Sequence, residues 1–409
     1  MAVYAVILAG GGGTRLWPLS RSDRPKPFLA PLGGDTLLRR TVDRLAPLVG
    51  VADIHVVTDG RYAALVREQL PDLPAGNLVG EPEGRNTAAA IALATVAIDR
   101  PDDDVMLILP ADHLLADEAG FREVLAIAVA AASTGPVGTV DAFGGPEAAG
   151  PLVTLGIRPA GPETGYGYIV AGGPAARPGD ATGAVARDVR TPSAASPAPD
   201  ARTPAATARP VLRFVEKPDA GAAAALLAGD PPAAWNAGIF VWRRGTIRSA
   251  LARHAPDILG VVADGWAAEA AGSSGALAAA YEQVRRTSID YAVMEPAAAA
   301  GDVLVVPADV GWSDLGSWSA IRDALVARAR AEAVPGEPLT GAVGAGPRRD
   351  IGSTGTLVLA DDRLVVTIGL RDTIVVDTPD AVLVCAADRS QEVRSIAEGL
   401  ARRAAEEET

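Results

Sequence analysis

Residues 8–29, LAGGGGTRLWPLSRSDRPKPFL, concentrate groups suited to binding phosphate. Four consecutive glycines, Gly10, Gly11, Gly12 and Gly13, carry no Cβ, so the backbone can approach a phosphate closely and present several N–H donors to it. Leu8 and Thr14 flank this loop, and Arg15 can fork two donors onto phosphate oxygens. Lys26 sits between Pro25 and Pro27, which stiffen its placement. The spacing is neither GxxxxGK[ST] nor the usual dinucleotide fingerprint. Of 37 Lys plus Arg, only Lys26 and Lys217 are lysines, so these two mark positions where a compact ammonium is needed rather than a planar guanidinium.

Six further strings hold polar groups at places where a sheet would present them. In GEPEGRNTAAAIALA (80–94), Asn86 and Thr87 suit a helix cap, while Glu81, Asn86 and Thr87 together offer the donors and acceptors that reading a nucleobase requires. LPADH (109–113) ends an apolar run on Asp112, and magnesium favours one or two carboxylates completed by substrate phosphates; His113 packs beside it. ETGYGYI (163–169) reads as a hairpin with tyrosines or as a turn close to a ligand. In FVEKP (214–218), Glu216 can accept from hydroxyls and Lys217 can hold a phosphate. A plain surface ion pair is the default for Glu-Lys, and the rarity of lysine argues against it. WNAGIFVW (235–242) places the amide of Asn236 ahead of a buried strand, and GWSDLGSW (311–318) sets Asp314 between two tryptophans.

These strings resemble the signature of the nucleotide-sugar pyrophosphorylases. The form with Trp17 and Pro27-Phe28 is similar to the mannose-1-phosphate guanylyltransferases, from residue 1 to about 325 and less firmly to about 395. The resemblance implies transfer from GTP to mannose 1-phosphate, giving GDP-mannose and pyrophosphate with Mg2+. It implies catalytic roles for Arg15, Lys26, Asp112 and Asp314, the two aspartates as metal ligands. Nucleotide contacts fall on Leu8, Gly10, Gly11, Gly12, Gly13, Thr14, Glu81, Asn86 and Thr87, and guanine recognition on the last three. Sugar-phosphate contacts fall on Glu163, Gly167, Glu216, Lys217 and Asn236. One rival is the same chemistry on glucose 1-phosphate with UTP or dTTP. Another is a non-catalytic regulator that binds nucleotide sugars; intact Arg15, Lys26, Asp112, Lys217 and Asp314 count against it. An isomerase domain like that fused to some longer relatives is not expected, the tail after 355 being too short. Asp112 and Asp314, about two hundred residues apart, are expected to converge.

The elements that position these residues alternate. Strands at 3–9, 51–59 and 104–113 and helices at 61–70, 87–99 and 121–132, with a further strand at 135–143, predict a mainly parallel sheet with helices on both faces. Ligands bind at the carboxyl ends of such strands. The expected fold is α/β: a doubly wound, Rossmann-like mixed sheet of the nucleotidyltransferase type, with a small β-rich, β-helix-like C-terminal domain. Residues 1–333 read as the catalytic domain. Between strands at 166–170 and 211–216, the insert 171–210 has no apolar period and is expected to be disordered or a mobile lid. Helices are expected at 261–280 and 319–333, a linker at 334–353, and short strands without a strict repeat, closed by a helix at 389–406, in 354–409.

Across 409 residues the formal charge is −13, which gives no general help in binding nucleic acid, so an anionic substrate must be held by a few placed cations. Apolar runs are far shorter than a membrane span, and the N-terminus reads as a strand rather than a signal peptide. Cys385 is the sole cysteine, which excludes an intrachain disulfide. A cytoplasmic location is expected, as is a homodimer if the tail packs against a second subunit.

Overall fold

The structure, a computed structural model, describes residues 1–11, 14–134, 150–173, 207–333 and 341–407. It is a mixed α/β fold with a β-rich C-terminal segment, and it divides into two compact units.

One unit comprises Ala5–Gly84, Leu109–Glu118 and Gly311–Thr409. The strands Val3–Leu8, Ile54–Asp59 and Leu78–Glu81 run parallel here, with Leu8 opposite Val57 and Asp59 opposite Glu81. Their near-continuous apolar sequences suit strands covered on both faces. The loop after Leu8 starts under restraint: the Ala9 N–H donates to the Val57 carbonyl at 2.8 Å and the Thr58 hydroxyl to the Ala9 carbonyl at 2.6 Å. Helix Leu37–Leu45 is capped by the Thr36 hydroxyl, which accepts from the Arg39 N–H, and buries Leu37, Leu38, Val42 and Leu45.

In the same unit the tail winds as stacked short strands. Val343 pairs in parallel with Leu357, Leu357 with Ile374, and Arg348 with Val365, while Val382–Ala386 closes the stack antiparallel to Thr373–Asp377. Successive coils differ in length, which explains the lack of a strict repeat. Two strands, Val343–Ala345 and Arg348–Ile351, fall inside the expected linker, whose residues 334–340 lie outside the described ones. Glycine hid the first of them: Gly344, at φ 145°, lies so close to the Val358 carbonyl that a Cβ has no room. Leu357, Ile374, Val376 and Val393 share one core with Leu16, Leu32, Leu37, Trp318, Ile321 and Leu325.

The other unit comprises Met1–Tyr4, Arg85–Ile108 and Ala119–Val310. Its strands follow the order Val105–Pro110, Ala234–Arg243, Leu152–Ile157, Val303–Ala308, Arg209–Glu216, Gly167–Ala171. Only Val303–Ala308 with Leu152–Ile157 is parallel among these pairings; the rest are antiparallel, so the mainly parallel expectation holds for the first strands alone. Parallel neighbours need a long crossover, and in this half of the chain neighbouring strands run against each other instead. Helix Thr87–Ala97 is buried all round from Ala88 to Thr95. The expected helix 261–280 is two helices, Pro256–Ala270 and Ala276–Gln283, separated by a turn. The strands flanking the insert pair antiparallel, from Gly167 opposite Glu216 to Ala171 opposite Val211. The expected strand 135–143 and residues 174–206 of the insert lie outside the described residues. Among the described residues no helix is long and apolar enough to cross a membrane.

Candidate active site

Lys26, Asp112 and Asp314 meet in the first unit. Lys26 heads the short 3-10 turn Lys26–Phe28, with Pro25 extended before it and Pro27 inside it, and its side chain is only 11% exposed. The ammonium donates to Asp112 Oδ2 at 2.8 Å and to the backbone carbonyl of Asp314. Trp312–Ser313 pairs antiparallel with Leu114–Leu115, so Asp314 and His113 leave the same end of one short ladder, and the charge of Asp314 acts on His113. The Asp314 carboxylate accepts the Gly316 N–H at 3.1 Å.

Burial pushes the Asp112 carboxyl up, but the charge of Lys26, that of His113 and the Lys26 hydrogen bond outweigh it and hold the group below the usual carboxylate range. His113 is pushed down to about 4, chiefly by burial, against the pull of Asp112. It is therefore neutral at pH 7, consistent with its Nδ1 accepting from Trp312 Nε1 at 3.1 Å. Two residues not anticipated from sequence fix this turn: the Thr41 hydroxyl shares its proton between the Leu37 carbonyl at 2.9 Å and the Ala111 carbonyl at 3.2 Å, and the buried Arg44 donates to the His113 carbonyl at 2.9 Å. Their only sequence signal is a polar pair on the otherwise apolar side of Leu37–Leu45.

Gly10, Gly11, Thr14 and Arg15 are exposed, Leu8 is partly buried, and Gly12 and Gly13 lie outside the described residues. Glu81 ends its strand buried. In the second unit, Asn86 caps helix Thr87–Ala97 at φ 75°, its carboxamide oxygen accepting the Thr87 N–H at 2.8 Å. The Thr87 hydroxyl accepts the Ile289 N–H at 2.9 Å. The capping role open at the sequence level is thus filled.

The second unit also gathers Gly167, Glu216, Lys217 and Asn236. The Glu216–Lys217 ion pair that lysine scarcity argued against does form, at 2.8 Å, with Glu216 7% and Lys217 53% exposed. For Lys217, burial would lower the pKa, but the hydrogen bond and charge of Glu216, with Asp290, hold it above the usual value. Lys217 takes φ 46° and its N–H donates to the Tyr166 carbonyl at 3.1 Å, a conformation concentrated at ligand sites. Glu163 takes part through its carbonyl, which accepts from Tyr168 Oη at 2.9 Å, while its side chain is exposed. Gly167 lies against the Glu216 carboxylate and Asn236, and a Cβ there would overlap the carboxylate. Gly167→Ala is expected to displace the Glu216 carboxylate and to cost about 1–3 kcal/mol in denaturant unfolding.

Asp290 is the residue of this group that sequence reasoning missed, since the stretch SIDYAVM carries no short-range signal beyond helix. It opens a π-helical turn, Asp290–Met294, and its Oδ1 accepts from Asn236 Nδ2 at 2.8 Å. Burial and the Glu216 carboxylate push its pKa up to about 6. The folded state thus holds this proton more tightly than the unfolded chain. The associated stability is fully present below the ordinary value of 3.8 and is lost as pH rises through about 6. Asp290→Asn is accordingly expected to raise the thermal midpoint at pH 7.5 and not at pH 4, as calorimetry at the two values would show.

The chain matches the nucleotidyl transferase family over residues 4–330 and the MannoseP isomerase/GMP-like beta-helix domain over residues 350–400. The mannose-1-phosphate guanylyltransferase of Escherichia coli K12 is 35% identical over 403 residues, spanning 97% of this chain and 73% of that protein. Alginate biosynthesis protein AlgA of Pseudomonas aeruginosa is 36% identical over 402 residues, spanning 97% and 71%. A crystal structure described as mannose-1-phosphate geranyltransferase from Thermus thermophilus superposes with a TM-score of 0.72 at 32% identity, covering 98% of this chain and 99% of that one.

Proposed function

The chain belongs to the nucleotidyl transferase family, and from that premise we infer that it transfers a guanylyl group from GTP to mannose 1-phosphate, giving GDP-mannose and pyrophosphate. The observation that carries this is the meeting of Lys26 with Asp112 and Asp314, which brings together three distant stretches of chain at one ammonium. We take 1–333 as the catalytic domain, 334–353 as a connection and 354–409 as its β-rich companion.

In the reaction an oxygen of mannose 1-phosphate attacks the α-phosphorus of GTP. The new O–Pα bond forms as the bond to the β-phosphate oxygen breaks, and the electron pair leaves with pyrophosphate. The nucleophile is already anionic, so no general base is needed. The barrier falls through positioning and charge neutralisation. Arg15, Lys26 and the glycine-loop amides take the triphosphate; Lys217 takes the sugar phosphate. Glu216 and Asn236 hold sugar hydroxyls, with Glu163 and Gly167 shaping that site. Glu81, Asn86 and Thr87 meet the guanine.

Asp112 and Asp314 suit a hard divalent cation: their oxygens are the donors magnesium prefers. Among the described residues no group of three or more His, Cys, Asp or Glu side chains could hold a metal, so phosphate oxygens and water would complete the shell. When bound, Mg2+ supplies further positive charge to the phosphates.

The test is kcat/KM for four nucleoside triphosphates against mannose and glucose 1-phosphates, with and without Mg2+. GTP with mannose 1-phosphate is expected to lead every other pair by at least about tenfold. A higher value for glucose 1-phosphate with UTP or dTTP overturns the reading, and pyrophosphate release from no pair makes the chain a binding protein.

A further inference from the structure

We propose that Asp290 is a positioning residue for the sugar phosphate, fixing the Asn236 side chain so that it offers the substrate an N–H donor rather than a carbonyl acceptor. This deepens, and rests on, the assignment of Asn236 to sugar binding. Asn236 Oδ1 accepts from the Thr154 hydroxyl at 2.9 Å and from the Gly238 N–H at 3.3 Å. Its Nδ2 donates to Asp290 Oδ1 at 2.8 Å. A backbone N–H can only donate, and a carboxylate oxygen can only accept, so the partners on both sides dictate which end of the amide is which. One Nδ2 hydrogen then remains for a ligand. Without Asp290 the amide keeps its partners on the oxygen side alone, and the remaining N–H loses its fixed direction.

Asp290 is itself held from two sides. The residues before it join the head of helix Thr87–Ala97: the Ile289 N–H donates to the Thr87 hydroxyl at 2.9 Å and the Ala88 N–H to the Thr287 carbonyl at 3.3 Å. The residues after it join Glu216: Tyr291 Oη donates to the Glu216 carbonyl at 3.3 Å, and Glu295 Oε1 accepts the Glu216 N–H at 2.9 Å. A π-helical turn, a form concentrated at functional sites, carries it there. Burying a carboxylate beside that of Glu216 works against folding, and orienting Asn236 accounts for its presence.

The experiment measures kcat and the separate KM values for GTP and mannose 1-phosphate in wild type, Asp290→Ala, Asp290→Asn, Thr154→Val and the Asp290→Ala/Thr154→Val pair. Loss of a hydrogen bond to a charged acceptor predicts a KM for mannose 1-phosphate raised about tenfold to a hundredfold in Asp290→Ala, with KM for GTP within about twofold. Asp290→Asn, whose Oδ1 still accepts, returns to within about threefold of wild type, and Thr154→Val, acting from the other side of the amide, raises the same KM. The double variant loses less than the product of the single effects. An unchanged KM for mannose 1-phosphate in Asp290→Ala, or an equal rise in both KM values, overturns the proposal, as does an Asp290→Asn as impaired as Asp290→Ala. A wild type that prefers another sugar phosphate refutes the substrate assignment instead, and the same comparison on that substrate still decides the role of Asp290.

Discussion

Lys26→Ala is expected to lower kcat by at least about a hundredfold while the protein stays folded at pH 7.5. The nearly buried ammonium is the point at which Asp112 and the Asp314 carbonyl come together, so its loss removes the cation proposed to meet the phosphates and a partner from a carboxylate at once. The Asp112 pKa is depressed because Lys26 and His113 outweigh burial. Stability from this pair is present above its ordinary value of 3.8 and is lost as pH falls through the depressed value. In Lys26→Ala, burial acts with less opposition, the Asp112 pKa rises, and the folded carboxylate loses stability at neutral pH. Lys26→Arg is expected to recover little, because a planar fork does not reproduce a compact ammonium between two prolines. Steady-state kinetics beside thermal melts decide the matter: a kcat within tenfold of wild type refutes the role assigned to Lys26.

The second large effect concerns the tail. A chain ending at 333 is expected to be unfolded or aggregated rather than a smaller active enzyme. Leu357, Ile374, Val376 and Val393 share a core with Leu16, Leu32, Leu37 and Trp318, so truncation uncovers the side chains that support the turn carrying Arg15. Each large apolar residue of such a core is worth about 2–5 kcal/mol, and losing four approaches or exceeds the usual 5–15 kcal/mol of total stability. Within the intact chain, Ile374→Ala alone should cost about 2–5 kcal/mol in denaturant unfolding. A monomeric, soluble 1–333 fragment with native-like melting would show that the tail is dispensable. Arg21 gives the tail a second attachment to the segment after the glycine loop, its guanidinium lying over Trp17 and bonding Asp380 at 2.8 Å.

The amino-acid sequence by itself determined the candidates for chemistry: the glycine loop with Arg15 and Lys26, Asp112 at a strand end, Glu216-Lys217, Asn236 and Asp314. Such groups need particular residue types at short spacing, and short spacing is visible in a string. It also determined most strands and helices, because burial imposes a period on the residues of each element. Tertiary structure alone decided what these groups touch. Lys26 bonds a backbone carbonyl of Asp314, Arg44 that of His113 and Thr41 that of Ala111, and every residue has a carbonyl, so no residue type announces such a partner. Asp290 reaches Asn236 only because a π-helical turn meets a strand 54 positions away in the chain. Strand direction in the second half and the stacked coils of the tail were decided in the same way, by which surfaces pack against each other, and chemical composition read along the chain does not encode that in any local segment.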